Sequence, residues 1–145
     1  MDLALRLLNL LLLPIGFVAG LFLPHVQKPL TDYRKTLTDI SKLMLNHVHV
    51  LYERREKNEP ASDQAKNLYI SLRALHAQLL ASANSIPRFA RPILEVFGLL
   101  QSDARIKEGA QMLIGISNQV VTADKDLPHL TTLIKKLETA LDIAV

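Results

Sequence analysis

DQAKNLYISLRALHAQLLASANSI, residues 63–86, is the stretch whose reading decides the class of fold. Ala65, Leu68, Leu72, Leu75, Leu79, Ala83 and Ile86 recur at steps of three and four. That spacing puts them on one stripe of an α-helix, and it is incompatible with the period of two of a strand. Ser62 or Asp63 stands where a side-chain oxygen can accept from the first free amides of such a helix. The spacing therefore predicts a helix over 63–85 with one apolar face.

Upstream, the same logic predicts a long amphipathic helix over 31–58. Leu30, Leu37, Met44 and Leu51 lie seven apart, with Tyr33, Ile40 and His47 on the adjoining stripe. Its end, YERREKNEP at 52–60, reads as a charged, solvated helix terminus closed by a proline, and Arg54, Arg55, Glu56 and Lys57 read as a solvated face. The short connection to the next helix makes the two antiparallel neighbours. Downstream, IPRFARPILEVFGLL at 86–100 breaks the pattern with two prolines. One or two short helices are expected there, with Ile86, Phe89, Ile93 and Phe97 on one face and Arg88 and Arg91 on the other. Two readings stay open: a segment that closes one end of the core, or a basic amphipathic stretch lying on a bilayer surface. Ser102 can cap a helix over 103–122, with Ile106, Ala110, Leu113 and Ser117 inward and Gly109 and Gly115 permitting close packing. Asp126, with Pro128 in the first turn, opens a last helix with Leu130, Leu133, Ile134, Leu137 and Leu141 on its stripe. The expected fold is all-α.

The amino-terminal part has a different character. From Leu7 to Leu23 runs LLNLLLLPIGFVAGLFL, 17 residues without a charge. As a helix these span about 25 Å, and Leu3 to Leu5, with Arg6 snorkelling, extend the run to the thickness of a hydrocarbon core. Leu, Ile, Phe and Val fill 12 of the 17 positions. Their summed insertion free energy is about −4 to −7 kcal/mol before Asn9, Pro14 and the glycines are set against it. A run apolar on every face suits lipid better than a core, and Val18-Ala19-Gly20 is a poor cleavage site within a run that continues past it. The expectation is an uncleaved transmembrane helix at 1–23, a connector at 24–30 bounded by Pro24 and Pro29, and a bundle of about four amphipathic helices at 31–145. Gly16 and Gly20, with Ala19 beside them, form a small-residue face that could pack another membrane helix.

Lysine and arginine follow the span more than they precede it. Lys28, Arg34, Lys35 and Lys42 come after, and only Arg6 before, so the positive-inside rule puts the bundle in the cytoplasm of a cell whose membrane holds a single pass. A formal net charge of +3 over 145 residues suits an anionic membrane surface, with Lys28, Arg34, Lys35, Arg88 and Arg91 as contact candidates, and falls short of a nucleic-acid binder. The chain has no cysteine, which removes disulfides, thiolate metal sites and cysteine nucleophiles.

Chemistry is sparse. His49 and Glu53, four apart on a helix, make half a metal site, to which His47, His76 or His129 would have to be brought by folding. Gly115-Ile116-Ser117-Asn118-Gln119 has the outline of a nucleophile elbow but lacks the second glycine and the strand before it. No glycine-rich loop opens a helix. No catalytic, metal or cofactor residue is therefore expected.

Leu72-Arg73-x-Leu75, Ser82-x-Asn84-x-Ile86-Pro87, Gly98-Leu99 and Leu113-Ile114-Gly115-Ile116-Ser117-Asn118, behind an amino-terminal span, resemble a group of small bacterial membrane-anchored helical proteins. The resemblance implies a bacterial membrane location and carries no activity or site residues. The functional expectation is a membrane-anchored, non-catalytic interaction module, with the lipid bilayer and a protein partner or a second copy as its contacts. A protein that binds anionic lipid at the membrane surface is the alternative, and a membrane-tethered enzyme comes third.

Overall fold

The computed structural model describes residues 2–53, 60–123 and 125–145, including the side chains of residue 20 and of residues 24 onward. All regular structure among the described residues is helical: α1 (Asp2–Asn46), α2 (Val48–Tyr52), α3 (Asp63–Ser85), α4 (Arg91–Val96), α5 (Asp103–Val121) and α6 (Leu127–Leu141). Part of α1 with α3, α5 and α6 makes a four-helix bundle in which α3 packs on both α1 and α5, and α5 on α6. The core runs through Tyr33, Ile40 and Met44 of α1, Leu68, Leu72 and Leu79 of α3, Leu113 and Ile116 of α5, and Leu130 and Leu137 of α6.

Local chemistry sets the helix ends. The Ser62 hydroxyl accepts from the Ala65 amide at 3.2 Å, and Asp126 Oδ1 accepts from the His129 amide at 3.0 Å, so each side chain satisfies an amide that has no intrahelical partner. α4 closes on Gly98, whose φ of +66° is open to glycine, and the Leu99 amide donates back to the Leu94 carbonyl at 2.8 Å. The stripes of α3 and α6 are those read from the spacing, although Leu75 is only half-buried.

Two departures concern α1. Residues 24–30, expected as a connector, are helical, and Pro24 and Pro29 lie inside a continuous helix. Each proline frees the carbonyl four residues earlier, at Gly20 and His25. Both of those residues are exposed, so the freed carbonyls are not sealed inside the bundle. The heptad seam is also rotated: Tyr33, Thr36, Ile40 and Met44 are buried, while Leu30 and Leu37 flank them half-buried. The helix then breaks at His47, so the expected single element over 31–58 is α1 followed by the short α2, and Glu53 is already extended. Residues 54–59, and with them the charged face at Arg54 to Lys57, lie outside the described residues.

α1 is about 68 Å long at 1.5 Å per residue, against about 35 Å for α3. Its earliest described residue against the core is Val26. The stretch from Val26 to Asn46 makes up about half of this helix. The expected span Leu7–Leu23, with Gly16 and Ala19 of its small-residue face, lies among the side chains outside the description. Among the described residues, no helix is long and apolar enough to cross a membrane. Gly20 is exposed, and a Cβ built on it would meet nothing within 4 Å.

Candidate interaction surface

The bundle has two distinguishable ends. At the far end, Lys125, between α5 and α6, donates from Nζ to the Val50 carbonyl at 2.7 Å and the Leu51 carbonyl at 3.2 Å. At the end where α1 enters, the Tyr33 hydroxyl, buried seven residues after Val26, donates to Gln101 Oε1 at 2.5 Å. This bond ties the 86–102 segment, and α4 within it, to the entry end. Burial pushes the Tyr33 phenol up to about 12, against smaller lowering effects of the Gln101 hydrogen bond and the Arg105 charge.

The segment turns inward on a different face from the one its spacing offered. Ile86, Ala90 and Leu94 are buried, whereas Phe89, Ile93, Val96 and Phe97 are 56, 60, 84 and 73% exposed. Three- and four-residue steps make these four neighbours on the outer side of α4 and its flanking turns. The reason for the rotation is Arg91. Its guanidinium donates to the Ala83 and Ile86 carbonyls at the carboxyl end of α3 and to Asp103 in the first turn of α5. A cation on carbonyls that α3 leaves open, joined to an acid at the start of α5, suits both helix dipoles. With its side chain 13% exposed, Arg91 locks α4 down and is engaged within the bundle rather than at its surface.

The other expected contact residues lie at the surface. Lys28, Arg34 and Lys35 on α1, and Arg88 just before α4, are all exposed. Arg34 and Lys42 line an open groove of about 550 Å³ between α1 and Asp142 to Ala144. Glu95 faces away from the apolar side chains, into a groove shared with Gln101, Ser102 and Arg105.

His47, His49, His76 and Ser117, among the residues that suggested chemistry, make hydrogen-bond contacts within the protein. His76 Nδ1 lies 3.0 Å from the Ala110 carbonyl, between α3 and α5. His47 Nδ1 lies 3.0 Å from the Leu43 carbonyl, and the break at His47 lets its ring stack on His49 at 6.4 Å, which an unbroken helix would not permit. His49 Nε2 lies 3.4 Å from Gln64 Oε1. Among the described residues, no three metal-ligating side chains are grouped to hold an ion. Ser117 is fully buried; its hydroxyl donates to the Ile114 carbonyl at 2.8 Å and accepts from Arg73 Nε at 3.3 Å. Arg73 also reaches Asn118 Oδ1 at 2.9 Å and lies 5.1 Å from the Tyr69 ring centre.

The Leu72-Arg73 and Ser117-Asn118 motifs thus meet as a clasp between α3 and α5, a packing role that their separation of some 44 residues hid. Comparison with protein-family models, with curated proteins and with solved structures gives no match, so the resemblance rests on its motifs alone. The exposed apolar surface of α4 is partly legible in the sequence: Phe89, Ile93 and Phe97 form a recognisable stripe, but the spacing leaves open whether it faces the core or outward.

Proposed function

We propose that this chain is a membrane-anchored, non-catalytic helical interaction module. In this reading, Leu7–Leu23 crosses the membrane of a bacterial cell and holds the bundle at its cytoplasmic face. The observation that carries it is the length of α1: the helix is continuous over 45 residues, and the half that precedes Val26 contains the uncharged apolar run. A globular domain has no use for that much apolar helix, whereas a bilayer does. Lys28, Arg34 and Lys35, exposed just beyond the run, supply the positive side of the topology rule. The Gly16, Ala19 and Gly20 face would let a second copy or a partner helix approach within the membrane.

Alkaline carbonate extraction of bacterial membranes tests the reading. The full chain should stay in the pellet, and substituting Leu12→Arg with Phe17→Arg should release it. Each substitution costs about 3 kcal/mol of insertion, so together they cancel the −4 to −7 kcal/mol estimated for the run. Release of the unsubstituted chain would refute the anchor. Reporters on each terminus would then read the topology, and cross-linking in intact membranes the partner or self-association.

A further inference from the structure

We infer that α4 is a second, interfacial membrane contact: Phe89, Ile93, Val96 and Phe97 enter the headgroup–acyl boundary of an anionic bilayer beside the membrane-held half of α1. This rests on the anchored reading above. Four large apolar side chains, 56–84% exposed and gathered within residues 89–97, are more than scattered surface apolarity. They are not surplus core, because α4 already buries Ala90 and Leu94 and is locked in that rotation by Arg91.

Position and charge name the occupant. The Tyr33–Gln101 bond holds this segment at the entry end, and Tyr33 follows Leu23 by ten residues, about 15 Å along the helix. A modest tilt of the bundle lays α4 on the headgroups. Arg88, Lys28, Arg34 and Lys35 are exposed at the same end, while Glu95 turns into the groove beside Arg105. Apolar side chains beside Arg88, with the cations of α1 exposed at the same end of the bundle, suit a helix that lies in an anionic interface. The exposed Leu45, Val48 and Tyr52 lie at the opposite end of the bundle, and Ile70 sits in the half of α3 nearer that end, so none of them would reach the same bilayer.

The chain contains no tryptophan, so a single Phe97→Trp reporter can be read without background. The full chain carrying F97W, and a second carrying Ile70→Trp, are reconstituted in vesicles of phosphatidylcholine with phosphatidylglycerol. The expected result is iodide quenching several-fold weaker for F97W than for I70W. Quenching of F97W by lipid brominated high on the acyl chain is expected too, with both effects reduced by Arg88→Glu or in pure phosphatidylcholine. Equal iodide access for the two reporters, in chains that resist carbonate extraction from the same vesicles, overturns the α4 contact and leaves the anchor standing. Extraction of the chains by carbonate sinks the anchored reading itself. Protection of F97W without bromolipid quenching, fading as protein is diluted in lipid, assigns the surface to a second copy and overturns the lipid contact. Persistence in pure phosphatidylcholine overturns the role of the cations.

Discussion

Replacing Gly109 with alanine sets two effects of similar size against each other, and the structure says which prevails. Gly109 faces Leu141 across the α5–α6 contact; a Cβ built on it would lie 2.5 Å from Leu141 Cδ2 and 2.6 Å from Cγ. Ordinary carbon contact is about 3.5–4.0 Å, so the added methyl falls about 1 Å short of the room it needs. Leu141 is fully buried as the last residue of α6. Alanine gains about 1 kcal/mol of helix propensity over glycine, and overpacking of this kind costs about 1–3 kcal/mol. The expected net is a loss of about 1 kcal/mol, or roughly 4 °C in Tm for a bundle of this size, read by circular dichroism of the full chain in mild detergent. Leu141→Ala alone should cost about 2–5 kcal/mol through its cavity. In the double variant the new methyl occupies space that Leu141 vacates, so the combined loss should fall short of the sum by about 1 kcal/mol or more. Gly115→Ala is the control: its Cβ would meet Leu133 Cδ1 at 3.2 Å, a contact that a small side-chain shift relieves, so the propensity gain leaves stability unchanged or higher. If G109A instead stabilises the protein by about 1 kcal/mol, or is strictly additive with L141A, α5 and α6 do not approach as described.

Two further outcomes follow from the entry end. Arg91→Met removes the bonds to the Ala83 and Ile86 carbonyls and to Asp103, and should destabilise by about 2 kcal/mol, whereas Arg88→Met at an exposed site should change thermal unfolding by less than about 0.5 kcal/mol. Because the folded-state Tyr33 phenol is raised from 10.0 to about 12, its contribution to stability is fully present below pH 10 and is lost as pH rises towards 12. Absorbance titration should show one of the three tyrosines ionising last, near 12, and Tyr33→Phe should remove that step together with the alkaline fall in stability it causes.

Much of the secondary structure was legible because its determinants are local. The three-and-four spacing in α3, the Ser62 and Ser102 caps, and the Asp126–Pro128 start of α6 act within one or two turns, and each helix begins where these signals place it. The α1 prolines misled for a complementary reason. A local rule against helix before proline competes with a stripe of core contacts further along, and at exposed positions the freed carbonyls are not sealed in the core. The candidate surface was the least legible part. Both Ile86/Phe89/Ile93/Phe97 and Ile86/Ala90/Leu94 are helical stripes, and periodicity cannot choose between two apolar faces.

For this protein, then, the order and character of the helices and the apolar run at its amino terminus were properties of the sequence alone, since each depends on neighbours within a few residues. Only the tertiary structure determined which face of α4 looks outward. That choice depends on Arg91 finding the end of α3 and the start of α5 at once, and on Tyr33 meeting Gln101, 68 residues away. Contacts across such separations leave no periodic trace in the chain, yet they decide which apolar side chains remain for a partner or a membrane.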